Sequence, residues 1–120
     1  MMNKKIKDII AKKNKSKIVS LTAYSKNIAQ IIDKYVDMTL VGDSVASVLY
    51  NYNTTRKISL DAMIEHAKSV RMGVHNSLMV FDMPYNTYID KKNALLNAKK
   101  IIKKTKSDAV KLEGLSLIHI

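Results

Sequence analysis

The chain has 120 residues, 47% hydrophobic and 26% charged, and carries 21 Lys and Arg against 10 Asp and Glu for a net charge of +11. That balance fits one globular domain or part of a larger one, and it excludes whole-chain disorder and any run near the ~18 apolar residues of a membrane span. The absence of cysteine excludes disulfides, thiolate nucleophiles and zinc–cysteine sites, and a cytoplasmic location is expected.

The lysine-rich start has no apolar centre, so no secretory signal is expected, and Ile6, Ile9 and Ile10 fall at helical spacing. Residues 17–22 (KIVSLT) are apolar and partly β-branched, which predicts a strand. Ile28, Ile31, Ile32 and Tyr35 then recur at i, i+3, i+4 and i+7, one face of a helix. Residues 37–43 (DMTLVGD) predict a second strand ending in a glycine turn, and residues 44–58 read as irregular. Ser59 is an N-cap for a helix with Leu60, Met63, Ile64 and Ala67 on one face and Gly73 at its stop. Residues 76–82 (NSLMVFD) predict a third strand, closed by Met83 and Pro84. Asp90 caps a further helix with Leu95, Ala98 and Ile102 on its buried side; Lys99, Lys100, Lys103 and Lys104 lie toward its C-terminal end, where cations suit the helix dipole. Residues 107–114 (SDAVKLEG) predict a fourth strand.

Strands as continuously apolar as MTLV and SLMVF require helices on both faces, which means a parallel sheet. Two architectures satisfy this order: a small doubly wound sheet, or the first half of a (β/α)8 barrel, which in full needs about 250 residues. Asp43, Asp82 and Glu113 each follow a predicted strand, and the C-terminal mouth of a parallel sheet is where ligands bind. Three carboxylates brought together repel, and a hard divalent cation with oxygen ligands, such as Mg²⁺, relieves the repulsion.

Several motifs carry a resemblance in collinear order. Ile18-Val-Ser-Leu-Thr-Ala-Tyr24, Leu40-Val-Gly-Asp-Ser44, Asp61-Ala-Met-Ile-Glu-His66 with Val70-Arg-Met-Gly73, Asp82-Met-Pro-Tyr85 and Val110-Lys-Leu-Glu-Gly114 together resemble the ketopantoate hydroxymethyltransferase family. The resemblance implies the N-terminal half of a (β/α)8 TIM barrel of the phosphoenolpyruvate-binding type over residues 1–114, with residues 115–120 an unmatched tail. It implies transfer of a hydroxymethyl group from 5,10-methylenetetrahydrofolate to 3-methyl-2-oxobutanoate, giving 2-dehydropantoate for pantothenate and coenzyme A synthesis. It implies Mg²⁺ held by Asp43, Asp82 and Glu113, and contacts to the 2-oxo acid from Asp43, Ser44, Asp82 and Lys111. It also implies a homo-oligomer, commonly a decamer. The family's catalytic base, a glutamate of the second half of the barrel, is not among these residues, so the 120-residue chain is expected to be inactive by itself, as from a truncated reading frame. The chain departs from the family pattern at Val45-Ala46-Ser47, where Leu-Gly-Met is usual, at Arg56-Lys57 in place of Leu-Pro, and at Ser25 in place of Asp.

The remaining residues offer weaker signals. His66 reads as a packing or surface residue, His75 as a turn residue, and Tyr50, Tyr52, Tyr85 and Tyr88 flank the expected mouth. Lysine supplies 19 of the cations, leaving only Arg56 and Arg71, whereas sequence-specific nucleic-acid readers favour arginine forks. The positive charge is therefore read as compositional bias, with neither a specific nucleic-acid nor a membrane partner expected. The alternatives are another Mg²⁺-dependent barrel acting on a 2-oxo acid, similar to isocitrate lyase, and a basic module binding RNA or an anionic membrane.

Overall fold

The two most apolar runs, MTLV and LMVFD, pair side by side as the inner strands of a sheet. The structure, a computed structural model, describes residues 3–114; the expected tail 115–120, with His119, lies outside the described residues. Strands β1 (Ser20–Thr22), β2 (Met38–Val41), β3 (Leu78–Asp82) and β4 (Ala109–Lys111) form one all-parallel sheet in the order β1-β2-β3-β4. Helices α1 (Lys4–Ala11), α2 (Lys26–Ile32), α3 (Val45–Val48), α4 (Leu60–Gly73) and α5 (Lys91–Thr105) precede or link them. A doubly wound sheet reverses its strand order at a switch point. Here every strand lies beside its predecessor in the chain, so the α/β arrangement is that of the first half of a (β/α)8 barrel.

Strand alternation sorts the side chains. Val41, Met79 and Phe81 join Met63, Ile64, Ala67 and Val70 of α4 and Ile101 of α5 in the buried core between sheet and helices. Pairs Thr39↔Met79 and Val41↔Phe81 keep that face in register. Each large side chain buried there stabilises the fold by about 1.5–3 kcal/mol. Leu78, Val80 and Asp82 have the opposite parity and share the other face of β3, where Asp82 pairs in register with Lys111.

The predicted caps form. Ser59 Oγ accepts from the Ala62 N–H at 3.1 Å, and Asp90 Oδ1 accepts from the Asn93 N–H at 2.7 Å. Four expectations are corrected. The segment after β2 is partly helical: Val45–Val48 makes one turn of helix, and Thr55–Lys57 makes a 3₁₀ turn capped by Thr54. In α2 the stripe Ile28, Ile31, Tyr35 is exposed, while Ala29 and the following Asp33 are buried. The cause is Gly73, where a Cβ would lie 2.5 Å from the Lys26 carbonyl oxygen and 3.0 Å from the Ala29 Cβ. Close approach of two backbones selects small residues, so α2 turns Ala29 toward α4, and of its isoleucines only Ile32 packs partly against the core. Gly73 is thus the last residue of the helix and a contact point, not a left-handed stop. In α5 the buried positions are Ile101 and Thr105, with Ala98 packed beside the core; Leu95 and Ile102 face outward.

Candidate active site

Each acid expected at a strand end stands there, and two of them meet one lysine. Lys111, the last residue of β4, directs Nζ to Asp82 Oδ1 at 2.9 Å and to Glu113 Oε1 at 2.8 Å. Asp82 ends β3 with a side chain only 6% exposed, and its Oδ2 accepts from the Asp43 N–H at 3.4 Å. Asp43 follows Gly42 beyond β2, and Ser44 next to it places Oγ 2.6 Å from the Tyr24 hydroxyl. Four of the five expected residues, Asp43, Asp82, Lys111 and Glu113, therefore form one electrostatic group, with Ser44 at its side.

The charges do not balance: Asp82 and Glu113 share the one ammonium, and Asp43 adds a third carboxylate beside them. Burial, together with the charges of Asp82 and Glu113, raises the Asp43 carboxyl above its ordinary value, against a hydrogen bond from Thr55. Lys111 is partly buried, which opposes its charge, yet its hydrogen bonds to Glu113 and Asp82 outweigh that and hold it more firmly protonated than a free lysine. Burial and the charges of the same three acids raise the Tyr88 phenol, which places Tyr88 beside them. Among the described residues no three Asp, Glu or His side chains stand at metal-ligand spacing, and the Lys111 ammonium bonds both Asp82 and Glu113. The donor chemistry nonetheless fits a hard divalent cation: all-oxygen, anionic and in surplus over the local positive charge.

At the opposite end of the sheet three further aspartates have full sets of partners. Asp33 accepts from the backbone N–H groups of His75, Asn76 and Ser77 and from the Ser77 hydroxyl, and its pKa falls to about 2. Asp37 takes the Val19 N–H and the Lys12 ammonium, each at 2.9 Å. Asp108 takes the Met79 N–H, Asn3 and Arg71. A cavity of about 290 Å³ lies at this end between α1 and the strand starts, but Asp33 and Asp37 in its wall are already paired. Of these two groups of acids, the under-compensated one is at the C-terminal mouth.

Sequence reasoning missed Tyr24 and Thr55 as neighbours of the site, since nothing local marks a tyrosine 20 residues before the serine it will meet. Tyr85, expected at the mouth, carries the Arg56 guanidinium 4.7 Å above its ring centre. Among the described residues no helix is long and apolar enough to cross a membrane.

Comparison with known proteins agrees with this fold. The chain is 69% identical over 113 residues to the 3-methyl-2-oxobutanoate hydroxymethyltransferase of Pelagibacter ubique, covering 94% of this chain and 44% of that protein. It is 48% identical over 107 residues to the enzyme of that name from Bartonella tribocorum, and 46% over 104 residues to that of Helicobacter acinonychis, covering 40% and 38% of those proteins. The chain thus spans less than half the length of the curated relatives it matches. The family model described as ketopantoate hydroxymethyltransferase matches residues 3–120, a range that includes the segment 115–120 set apart above. With that match over nearly its whole length, the chain belongs to the ketopantoate hydroxymethyltransferase family.

Proposed function

We propose that the mouth of this sheet binds 3-methyl-2-oxobutanoate and prepares it to accept a hydroxymethyl group from 5,10-methylenetetrahydrofolate, giving 2-dehydropantoate. The observation that carries the reading is the surplus of carboxylate at the strand ends: Asp82 and Glu113 share Lys111, and Asp43 adds its charge next to Asp82. The names of the relatives support the same substrate.

Asp43, Asp82 and Glu113 would hold Mg²⁺, which when bound supplies Lewis-acid polarisation of the keto oxygen. The protein's own groups do the rest. Ser44 Oγ, oriented by the Tyr24 hydroxyl, donates to the substrate carboxylate. Lys111, kept cationic by its two acids, offsets the negative charge that develops as the C3 proton leaves. The low exposure of Asp82 strengthens its own pairing with Lys111. The proton acceptor for C3 is a glutamate of the second barrel half, a part that these 120 residues do not supply. Assembly into a homo-oligomer belongs to the same reading.

Titration calorimetry with Mg²⁺ and 3-methyl-2-oxobutanoate tests the site. Binding should be measurable with the unaltered chain and lost in Asp82→Asn, which removes the most buried acid while keeping its shape. Equal binding by the variant would overturn the assignment.

A further inference from the structure

His66 sits in the middle of α4, on a helix that contributes none of the acids, yet both of its ring nitrogens are engaged. Nδ1 lies 3.0 Å from the backbone carbonyl oxygen of Tyr24, and Nε2 lies 2.7 Å from the Tyr50 hydroxyl. A carbonyl oxygen only accepts, so Nδ1 carries the hydrogen. In the neutral ring Nε2 then accepts from Tyr50. The two rings also meet edge-on, with centroids 5.7 Å apart. Tyr24, held through its backbone by His66, places its own hydroxyl 2.6 Å from Ser44 Oγ, one residue from Asp43. A single imidazole thereby ties together the connection after β1, the segment after β2 and α4.

We infer that His66 is a positioning residue: it fixes Tyr24, and through Tyr24 the Ser44 hydroxyl, in the orientation that meets the carboxylate of the 2-oxo acid. This rests on the substrate reading given above. The geometry also says which half of the imidazole matters. The Nδ1 bond to Tyr24 leads to Ser44, whereas the Nε2 bond leads only to Tyr50. An asparagine places an amide N–H where Nδ1 stands; a glutamine reaches the place of Nε2.

The test uses the isotope-labelled 120-residue chain and its variants His66→Asn, His66→Gln, His66→Leu and Tyr24→Phe. Long-range ¹H–¹⁵N spectra should show the Nδ1–H form of His66. The backbone amide signals of Tyr24 and Ser44 should move in His66→Leu and His66→Gln and stay near their wild-type places in His66→Asn. Affinity for 3-methyl-2-oxobutanoate with Mg²⁺ should fall roughly five- to tenfold in His66→Leu, the loss expected for one hydrogen bond, and by a similar factor in Tyr24→Phe. The double variant should bind no worse than either single one, because both cut the same chain of contacts. A hydrogen on Nε2 instead of Nδ1, or Ser44 signals and affinity unmoved in His66→Leu while only its thermal midpoint drops, would overturn the inference and leave His66 a packing residue. An intact network with no oxo-acid binding by the wild-type chain would instead support the positioning and overturn the proposed substrate.

Discussion

Asp33 and Asp43 stand ten residues apart, and their carboxyl groups respond to the fold in opposite directions. Asp33 is buried, which opposes its charge, yet the N–H groups of Ser77, His75 and Asn76 and the Ser77 hydroxyl draw its pKa down from 3.8 to about 2. Asp43 has burial and two neighbouring acids acting together, so its pKa rises. The depressed value makes Asp33 a source of stability that is fully present above its unfolded pKa and disappears as pH falls through the folded one. The window is from near pH 4 to near pH 2, and the amount is about 2 kcal/mol. Asp33→Ala should therefore lower unfolding free energy in urea at pH 7 by at least that much, and should flatten the acid limb of the stability profile. A variant whose stability falls with acid as steeply as wild type would show that another group controls this limb. For Asp43 the expected sign is reversed: removing a neighbouring charge with Asp82→Asn should lower the Asp43 pKa toward its ordinary value, as read from carboxyl ¹³C shifts.

Among the elements, the α2–α4 contact shows how residues 43 or more positions apart replace local signals. Ser25 is the N-cap residue of α2 but makes no side-chain capping bond; the Lys26 N–H instead donates to Ser69 Oγ of α4 at 3.0 Å. Ser69→Ala should cost about 1 kcal/mol, the usual value of a lost cap, although Ser69 lies in the interior of another helix. Gly73 makes the companion prediction. On an exposed helix Gly→Ala gains up to about 1 kcal/mol in propensity. Here the new Cβ would press on the Lys26 carbonyl and the Ala29 Cβ, so Gly73→Ala should destabilise by about 1–3 kcal/mol in denaturant titrations. A gain in stability would mean that the two helices part at little cost.

For the molecule as a whole, four strands in sequential order leave β1 and β4 each with one unpaired edge among the described residues. Ile18 and Val19 before β1 and Leu21 within it are each more than 40% exposed, and so are Leu95 and Leu96 of α5. Open edges with apolar flanks favour pairing with further chains. Light scattering on the purified 120 residues should give a mass well above 13.5 kDa, and on the proposed reading, which takes the C3 proton acceptor from the second barrel half, the same sample should form no 2-dehydropantoate. A monomer with turnover would refute both expectations. The charge of +11 predicts only weak association with DNA or RNA that falls steeply with salt; sequence preference at physiological salt would contradict the compositional reading.

Periodicity and turn chemistry are local properties, and the sequence by itself determined what depends on them: the order of strands and helices, the Ser59 and Asp90 caps, and the placing of Asp43, Asp82 and Glu113 at or just past the ends of their strands. The motif order was enough to point to the family. Only the tertiary structure decided which side of each helix is buried, because a stripe such as Ile28, Ile31 and Tyr35 is apolar whether or not a neighbour covers it, and Gly73 turned α2 the other way. It also separated two sets of aspartates that look alike in the sequence. Asp33, Asp37 and Asp108 meet backbone N–H groups from distant segments, while Asp82 and Glu113 share one lysine and the Asp43 N–H reaches Asp82. Which partners a carboxylate finds depends on strand pairing and helix crossing across tens of residues, and no local pattern encodes that.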